Sequence, residues 1–432
     1  MLRTTGEVAS HIARMRNALV LFLFILTCSS RADDRDLTLA RAMLDDAVIR
    51  NDEDAMALAR ERLLRIAADT TDTATLRDAH YLIAVSTMFE CYSGYRDLGA
   101  SANLAAMGIR HIDRALELDP KSADAWMMAG ALRNTAVRVG LTPPPDPPGA
   151  PNRMMHAMEL DPKATAVAFF SAMGRSMNPN GGAPPEGVKM FDDLVARLDA
   201  DRAATGRRFG LWDMQAHAWK VLVRIAADDP NASTLRPLSA QLLADCAGCA
   251  SAQQIADAVA EHHFVAAPSV TWQPFLTDAA GDGKNPKLPD VVGVDRADDG
   301  DLVWVRVTFH DPLPRSFGVN IAVNRSGDPA SGMKWWGKDS TFRFDRLVTA
   351  WISRDGDRYF GRIGITDPDG ARTAHMRKLS SDVQLAMGSD DRSVMIGVRR
   401  DAIGITDKST VVVAGGSHLV WNDDATIAAN SR

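Results

Sequence analysis

The chain has 432 residues, with 49 Lys and Arg against 55 Asp and Glu, a net charge of −6 and 46% apolar residues. That balance excludes wholesale disorder, collagen-like repetition and a polytopic membrane protein, and without a basic surplus nucleic acid is a poor partner. The length suits two or three hydrophobic cores at roughly 150 residues each. Among the acids 47 are Asp and 8 are Glu, and none of the Glu lies beyond Glu261. Glu favours helix interiors and Asp favours turns and caps, so a change of architecture is predicted near residue 266.

Residues 18–28 (ALVLFLFILTC) are an uncharged apolar run behind Arg14 and Arg16. This reads as the h-region of a signal peptide, with Ser30-Arg31-Ala32 as the cleavage site and 1–32 removed. Met1 and Met15 are both acceptable starts. The protein is therefore expected in the periplasm of a bacterium or outside the cell. It would meet a membrane only through an uncleaved N-terminus or a lipidated Cys28, and the Ile25-Leu26-Thr27 before that cysteine fits a lipobox poorly.

Residues 33–266 are predicted to be α-helical. LARAMLDDAVI, ARERLLRIAAD and AHYLIAVSTMFE carry apolar residues at helical spacings. A repeat is visible: Arg114-Ala115-Leu116-Glu117-Leu118-Asp119-Pro120 returns as His156-Ala157-Met158-Glu159-Leu160-Asp161-Pro162, with a looser echo ending at Pro230. A proline-rich insertion around Pro143–Pro148 interrupts the period. His80, His111, His156 and His217 stand singly and are expected to pack or face solvent. Cys246-Ala-Gly-Cys249 lies between two helical patterns, which favours a local disulfide over redox chemistry; a second ligand pair for zinc is missing.

The stretch 111–132 (HIDRALELDPKSADAWMMAGAL) resembles the tetratricopeptide repeat, with Ala115, Pro120, Trp126 and Gly130 at the family's spacing. Arg133 stands where the family has Tyr, and the next repeat lacks the Trp and Gly. The resemblance implies stacked helical hairpins whose concave face binds a protein or peptide. In the Trp126 helix that face would display Asp124, Met127, Ala131 and Asn134.

Residues 267–432 are predicted to be an antiparallel β-sandwich. Val303, Val305, Val307 and Phe309 alternate with Trp304, Arg306 and Thr308, and Phe317, Val319, Ile321 and Val323 alternate likewise. Turn clusters such as Arg354-Asp355-Gly356-Asp357 separate further short strands. The order of Thr277-Asp278-Ala279-Ala280-Gly281-Asp282, Asp290, the strand at 301–309, the acidic turn after Val323 and the terminal Asn422-Asp423-Asp424 resembles family-9 carbohydrate-binding and DOMON-like modules. That resemblance implies a polysaccharide ligand, with Trp335 and Trp336 as the stacking pair. It also implies calcium as the one candidate cofactor, held by Asp282, Asp290 and Asp423.

The chain thus reads as a multi-domain α + β protein, helical hairpins followed by an antiparallel sandwich. No H-E-x-x-H, G-x-S-x-G or P-loop is present. The expected function is non-catalytic: a protein-interaction scaffold joined to a glycan-binding or structural module. The alternative is an exported glycan hydrolase with Asp acid and base at the domain interface.

Overall fold

The computed structural model describes residues 35–93, 98–138, 141–146, 148–177, 183–246, 248–335, 341–366, 383–416 and 421–427. Residues 1–34, which hold the expected signal peptide and Cys28, and Trp336 lie outside the described residues.

Eleven helices come first among them. They are α1 (35–50), α2 (Glu53–Asp69), α3 (Thr73–Ser93), α4 (Leu98–Leu118), α5 (Ala123–Arg138), α6 (Arg153–Leu160), α7 (Thr165–Ser176), α8 (Pro185–Thr205), α9 (Leu211–Ala226), α10 (Arg236–Asp245) and α11 (Ala250–Val259). Local chemistry sets their ends. The Asp52 side chain accepts from the Ala55 amide at the start of α2, and Asn152 does the same for Met155 in α6. Pro185 opens α8, and Gly206 closes it at φ 67°, a backbone that glycine adopts without strain. From α2 to α9 each helix packs on the next, while α3, α5, α7 and α9 also touch one another in succession. The result is a row of helical hairpins whose odd-numbered helices form one layer. A single apolar core runs from Leu37 to Ala226. Small residues let helices approach: a Cβ on Gly130 would stand 2.6 Å from Met154, which is why α6 can lie against α5 there.

The repeat keeps its phase only partly. Pro120 and Pro162 each follow an even-numbered helix, but Pro230 follows α9, of the odd layer, and begins a 3-10 turn over Pro230–Leu235. Arg133, in the place of the family's Tyr, is the hub of an ion network instead. It pairs with Asp113 at 3.0 Å, and Arg153 holds Asp146 of the proline-rich insertion at 2.6 Å. That network fastens the insertion to α4, α5 and α6.

The strands are β1 (His262–His263), β2 (Gln273–Thr277), β3 (Val291–Asp298), β4 (Leu302–Phe309), β5 (Ser316–Asn324), β6 (Met333–Lys334), β7 (Arg343–Phe344), β8 (Arg346–Asp355), β9 (Arg358–Thr366), β10 (Val383–Met387), β11 (Ser393–Arg399), β12 (Thr410–Gly416) and β13 (Trp421–Ile427), with a short helix α12 (Arg400–Ile403). They form two antiparallel sheets, β1-β9-β8-β5-β12-β13 and β10-β11-β4-β3-β2, beside a two-stranded β6-β7 ribbon. The alternating residues behave as their period requires: Val303, Val305, Val307 and Phe309 meet Phe317, Val319, Ile321 and Val323 in one core. The opposite face of β5, with Asn320, Ala322 and Asn324, is buried too, because further layers cover that sheet.

The changeover falls slightly before residue 266. The last long helix ends at Val259, and β1 already pairs His262 with Tyr359. Phe264 then donates to the Asp357 carbonyl and Val265 to that of Leu385, so this segment joins the edges of both sheets. The helical and β parts meet where α9 and α11 pack on β8 and β9.

Candidate functional site

The inner layer of helices does not lie flat. α1 comes round to α9, where the Leu211 amide donates to Asp45 Oδ1 at 3.3 Å. The helices so arranged line a half-open cavity of about 500 Å³, within the range of roughly 300–1,000 Å³ usual for small-molecule sites. Residues of α1, α3, α5, α7, the end of α8 and the start of α9 line it. Aromatic walls come from Tyr81, Phe209 and Trp212; charges come from Arg41, Asp45, Asp124, Arg207 and Asp213, among others.

These charges are not alike. Asp213 is buried and grips Arg207 with both oxygens, at 2.7 and 2.9 Å, while accepting from the Gly210 amide at 2.9 Å. Arg207 also reaches Asp201 at 2.6 Å and the Leu198 carbonyl at 3.1 Å. Its hydrogen bonds to Asp213 raise its already high pKa further, so it is a fixed cation. Asp45, by contrast, has no ion-pair partner among the described residues. Burial pushes its carboxyl up to about 6, opposed by the Leu211 amide and Arg41 and assisted by repulsion from Asp213. Burial likewise drives the Tyr81 phenol well above its ordinary value, the Asp124 charge adding to it. The cavity therefore pairs a rigid ion pair with a carboxyl that titrates close to neutrality.

Of the residues expected on the concave face of α5, Asp124 alone lines the cavity. Its Oδ1 accepts from the Ala166 amide at 2.8 Å, which supplies α7 with the cap that Ala164, at its N-cap, lacks. Burial raises its pKa, opposed by the Ala166 and Val167 amides. Met127 and Ala131 are buried in the core, and Asn134 is exposed outside the cavity, its amide 3.9 Å from Met154 Sδ. α5 is packed on by α3, α4, α6 and α7 at once, which uses up the faces that an open repeat would leave free.

Sequence reasoning missed Asp45, Tyr81, Arg207, Trp212 and Asp213. They come from α1, α3, α9 and the loop before α9, far apart in the chain, and the one local signal was the dense run Arg207-Arg208-Phe209-Gly210-Leu211-Trp212-Asp213. It also missed that His80 and His111 are not solitary. Their Nδ1 atoms lie 2.7 Å apart between α3 and α4, and burial, with repulsion from His80, lowers His111 to about 4.

In the sandwich, the expectation of an open Trp335 ring is corrected. Trp335 is 1% exposed and stands edge-on to Phe342 and Phe344, sealing the outer face of the six-stranded sheet over Ala322, Leu347 and Val412. Trp304 is buried as well, its Nε1 donating to Asp299 at 2.7 Å. Asp290 spends both carboxylate oxygens on the loop before it, accepting from Gly281 at 2.6 Å and Gly283 at 2.9 Å. Asp282 is exposed between those two donors, and Asp423 sits in β13 opposite Gly415, its side chain outside the described atoms. Among the described residues no group of three or more His, Cys, Asp or Glu side chains is gathered as metal ligands.

Cys246 and Cys249 are joined by a disulfide, at the end of α10 and the start of α11, around Gly248 at φ 81°. A second cavity, of about 190 Å³, lies where α9 and α11 meet Arg362 of β9; its described lining holds Gln215, Gln254, Trp219 and Ser251 but no carboxylate. No described helix is long and apolar enough to cross a membrane. No family model matches the chain, nor does any curated protein or solved structure.

Proposed function

We propose that the chain is an exported, non-catalytic binding protein. Its helical array, a tetratricopeptide-like scaffold bent round on itself, captures a ligand inside its layer of odd-numbered helices. The β-sandwich is a structural module docked on the last helices of that array. The observation that carries this reading is the 500 Å³ cavity, which gathers an unpaired carboxyl, a fixed Arg207–Asp213 pair and the Tyr81 and Trp212 rings from helices far apart in sequence. Polar groups held at convergent positions against aromatic walls suit selective binding of a small polar ligand. The apolar run before Cys28 supports export to the periplasm or beyond. Support for a glycan role of the sandwich is weaker, since Trp304 and Trp335 both serve packing.

The test is a thermal-shift screen of the whole protein against small polar metabolites, short peptides and oligosaccharides. A ligand that raises the melting temperature and protects α1 and α9 amides from hydrogen exchange supports the cavity reading. Stabilisation by oligosaccharides alone, with protection confined to 262–427, would replace it with the glycan function.

A further inference from the structure

The unmatched charges of the cavity define what it can take, and this step rests on the binding function just proposed. Around the wall most ionic groups already have partners. Arg207 is held by Asp213 and Asp201, Asp46 by Arg50, and the Asp124 carboxylate caps α7. Three groups are left over among the described residues: Asp45 and Arg41 on one helix, and the exposed Arg208 in the loop before α9. Asp45 meets only the Leu211 amide, and Arg41 makes no ion pair among the described residues. They lie four residues apart on α1, so their Cβ atoms are about 5–6 Å from one another on one face, and both line the cavity. An acid and a base so close would ordinarily satisfy each other across a helix turn. Here they attract each other without closing into an ion pair; Asp45 is half-buried, Arg41 is exposed, and both line the same cavity.

We propose that this cavity binds a free α-amino acid, with Asp45 receiving its ammonium and Arg41 its carboxylate. An ammonium and a carboxylate on one carbon span about the gap between neighbouring side chains one helix turn apart. The guanidinium offers the carboxylate two parallel donors, and the Asp45 carboxylate offers the ammonium a charged acceptor in a partly dry setting. The amino acid's side chain would lie against Tyr81, Val85 and Trp212, walls that favour an apolar or aromatic residue. A simple amine would leave Arg41 unmatched and a simple carboxylate would leave Asp45 so, which is why the zwitterion fits best.

Titration calorimetry of the whole chain at pH 8 against the free amino acids, and against the N-acetyl and carboxamide forms of those that bind, tests this. At least one free amino acid is expected to bind, with each blocked form weaker by roughly tenfold or more. Asp45→Asn should abolish the difference between free and N-acetyl forms, and Arg41→Gln the difference between acid and carboxamide, in protein whose circular dichroism is unchanged. Equal binding of free and blocked forms, or full affinity in both variants, overturns the assignment. A peptide or other metabolite that binds and protects α1 and α9 while both variants keep its affinity also overturns it, yet leaves the cavity-binding function standing. No ligand from any of these sets overturns both.

Discussion

A carboxylate that loses water without a cation in direct contact is held at a cost, and Asp45, which Arg41 and Arg207 only attract from a distance, is in that position. Its pKa in the folded chain is about 6, against 3.8 for the ordinary group. Below pH 3.8 Asp45 is protonated folded or unfolded and contributes nothing. Between 3.8 and 6 the unfolded chain releases the proton and the folded one keeps it, so stability falls as pH rises; above 6 the loss is constant. Asp45→Asn keeps an acceptor for the Leu211 amide and removes the charge. It should therefore stabilise the protein at pH 8 by about 1–3 kcal/mol and leave it unchanged near pH 3.5, read from urea midpoints at both pH values. A loss of stability at pH 8 would show that Asp45 is a structural partner and not a reserved one. Trp335 gives the opposite case. As a sealed core residue, its change to Ala should cost about 3–5 kcal/mol, measured by the same unfolding curves. Its sequence context, Gly332-Met333-Lys334-Trp335, looks like an open loop because the Phe342 and Phe344 that cover it arrive from a later turn.

Elements were the most legible part of the chain, because their signals are local. The 3.6 and 2.0 periods separated helices from strands, and turn clusters marked breaks between strands. What periodicity could not convey was how many neighbours each helix has. α5 carries the best repeat signature, yet four helices surround it, so of its expected ligand face Met127 and Ala131 are core, Asn134 is exposed outside the cavity and Asp124 alone reaches it. The C-x-x-C was legible for the opposite reason: both cysteines and the turn between them lie within one short stretch. The disulfide closes a loop of only a few residues, so it constrains the unfolded chain little. Reducing it, or replacing Cys246 with Ser, should cost about 1–2 kcal/mol in a denaturant titration with and without reductant. Cys249 is 1% exposed in the core shared by α9 and α11, so the loosened turn should show faster amide exchange in α10 and α11 while α3 to α5 stay protected. Faster exchange throughout the helical part would contradict so local a role.

At the scale of the whole molecule, the question is whether the helical and β parts unfold as one. The loss of Glu after residue 261 located their boundary to within a few residues, since the helices stop at Val259. Nothing in the sequence pointed to the joint itself, where the α9 and α11 packing on β8 and β9 is joined by one residue in an uncommon backbone state. Asp228, just after α9, has φ 57°, a left-handed conformation that Asp tolerates better than most side chains. That twist carries its carboxylate to the end of the six-stranded sheet. There Oδ1 accepts from the buried Ser353 hydroxyl at 2.7 Å and from Ser316 at 3.3 Å, with the Arg315 guanidinium 3.2 Å away. Ser316 sits in β5 and Ser353 opposite it in β8, so a single acceptor ties two paired strands to the end of a helix. Asp228→Gly removes the carboxylate and relieves the backbone at once, so its effect isolates the contact. With the buried Ser353 hydroxyl losing its acceptor, while Ser316 keeps the Ile225 carbonyl at 3.2 Å, the cost should be about 1–3 kcal/mol. It should fall on the coupling more than on either core, because among the described residues the helical core and the sandwich core are separate clusters, with α9 and α11 packed against the β part. Differential scanning calorimetry should then resolve two unfolding transitions where one is expected of the parent protein, and Asp228→Asn, which keeps an acceptor oxygen, should restore much of the coupling. A single undisturbed transition in Asp228→Gly would place the coupling instead in the apolar contact of α11 with Phe360.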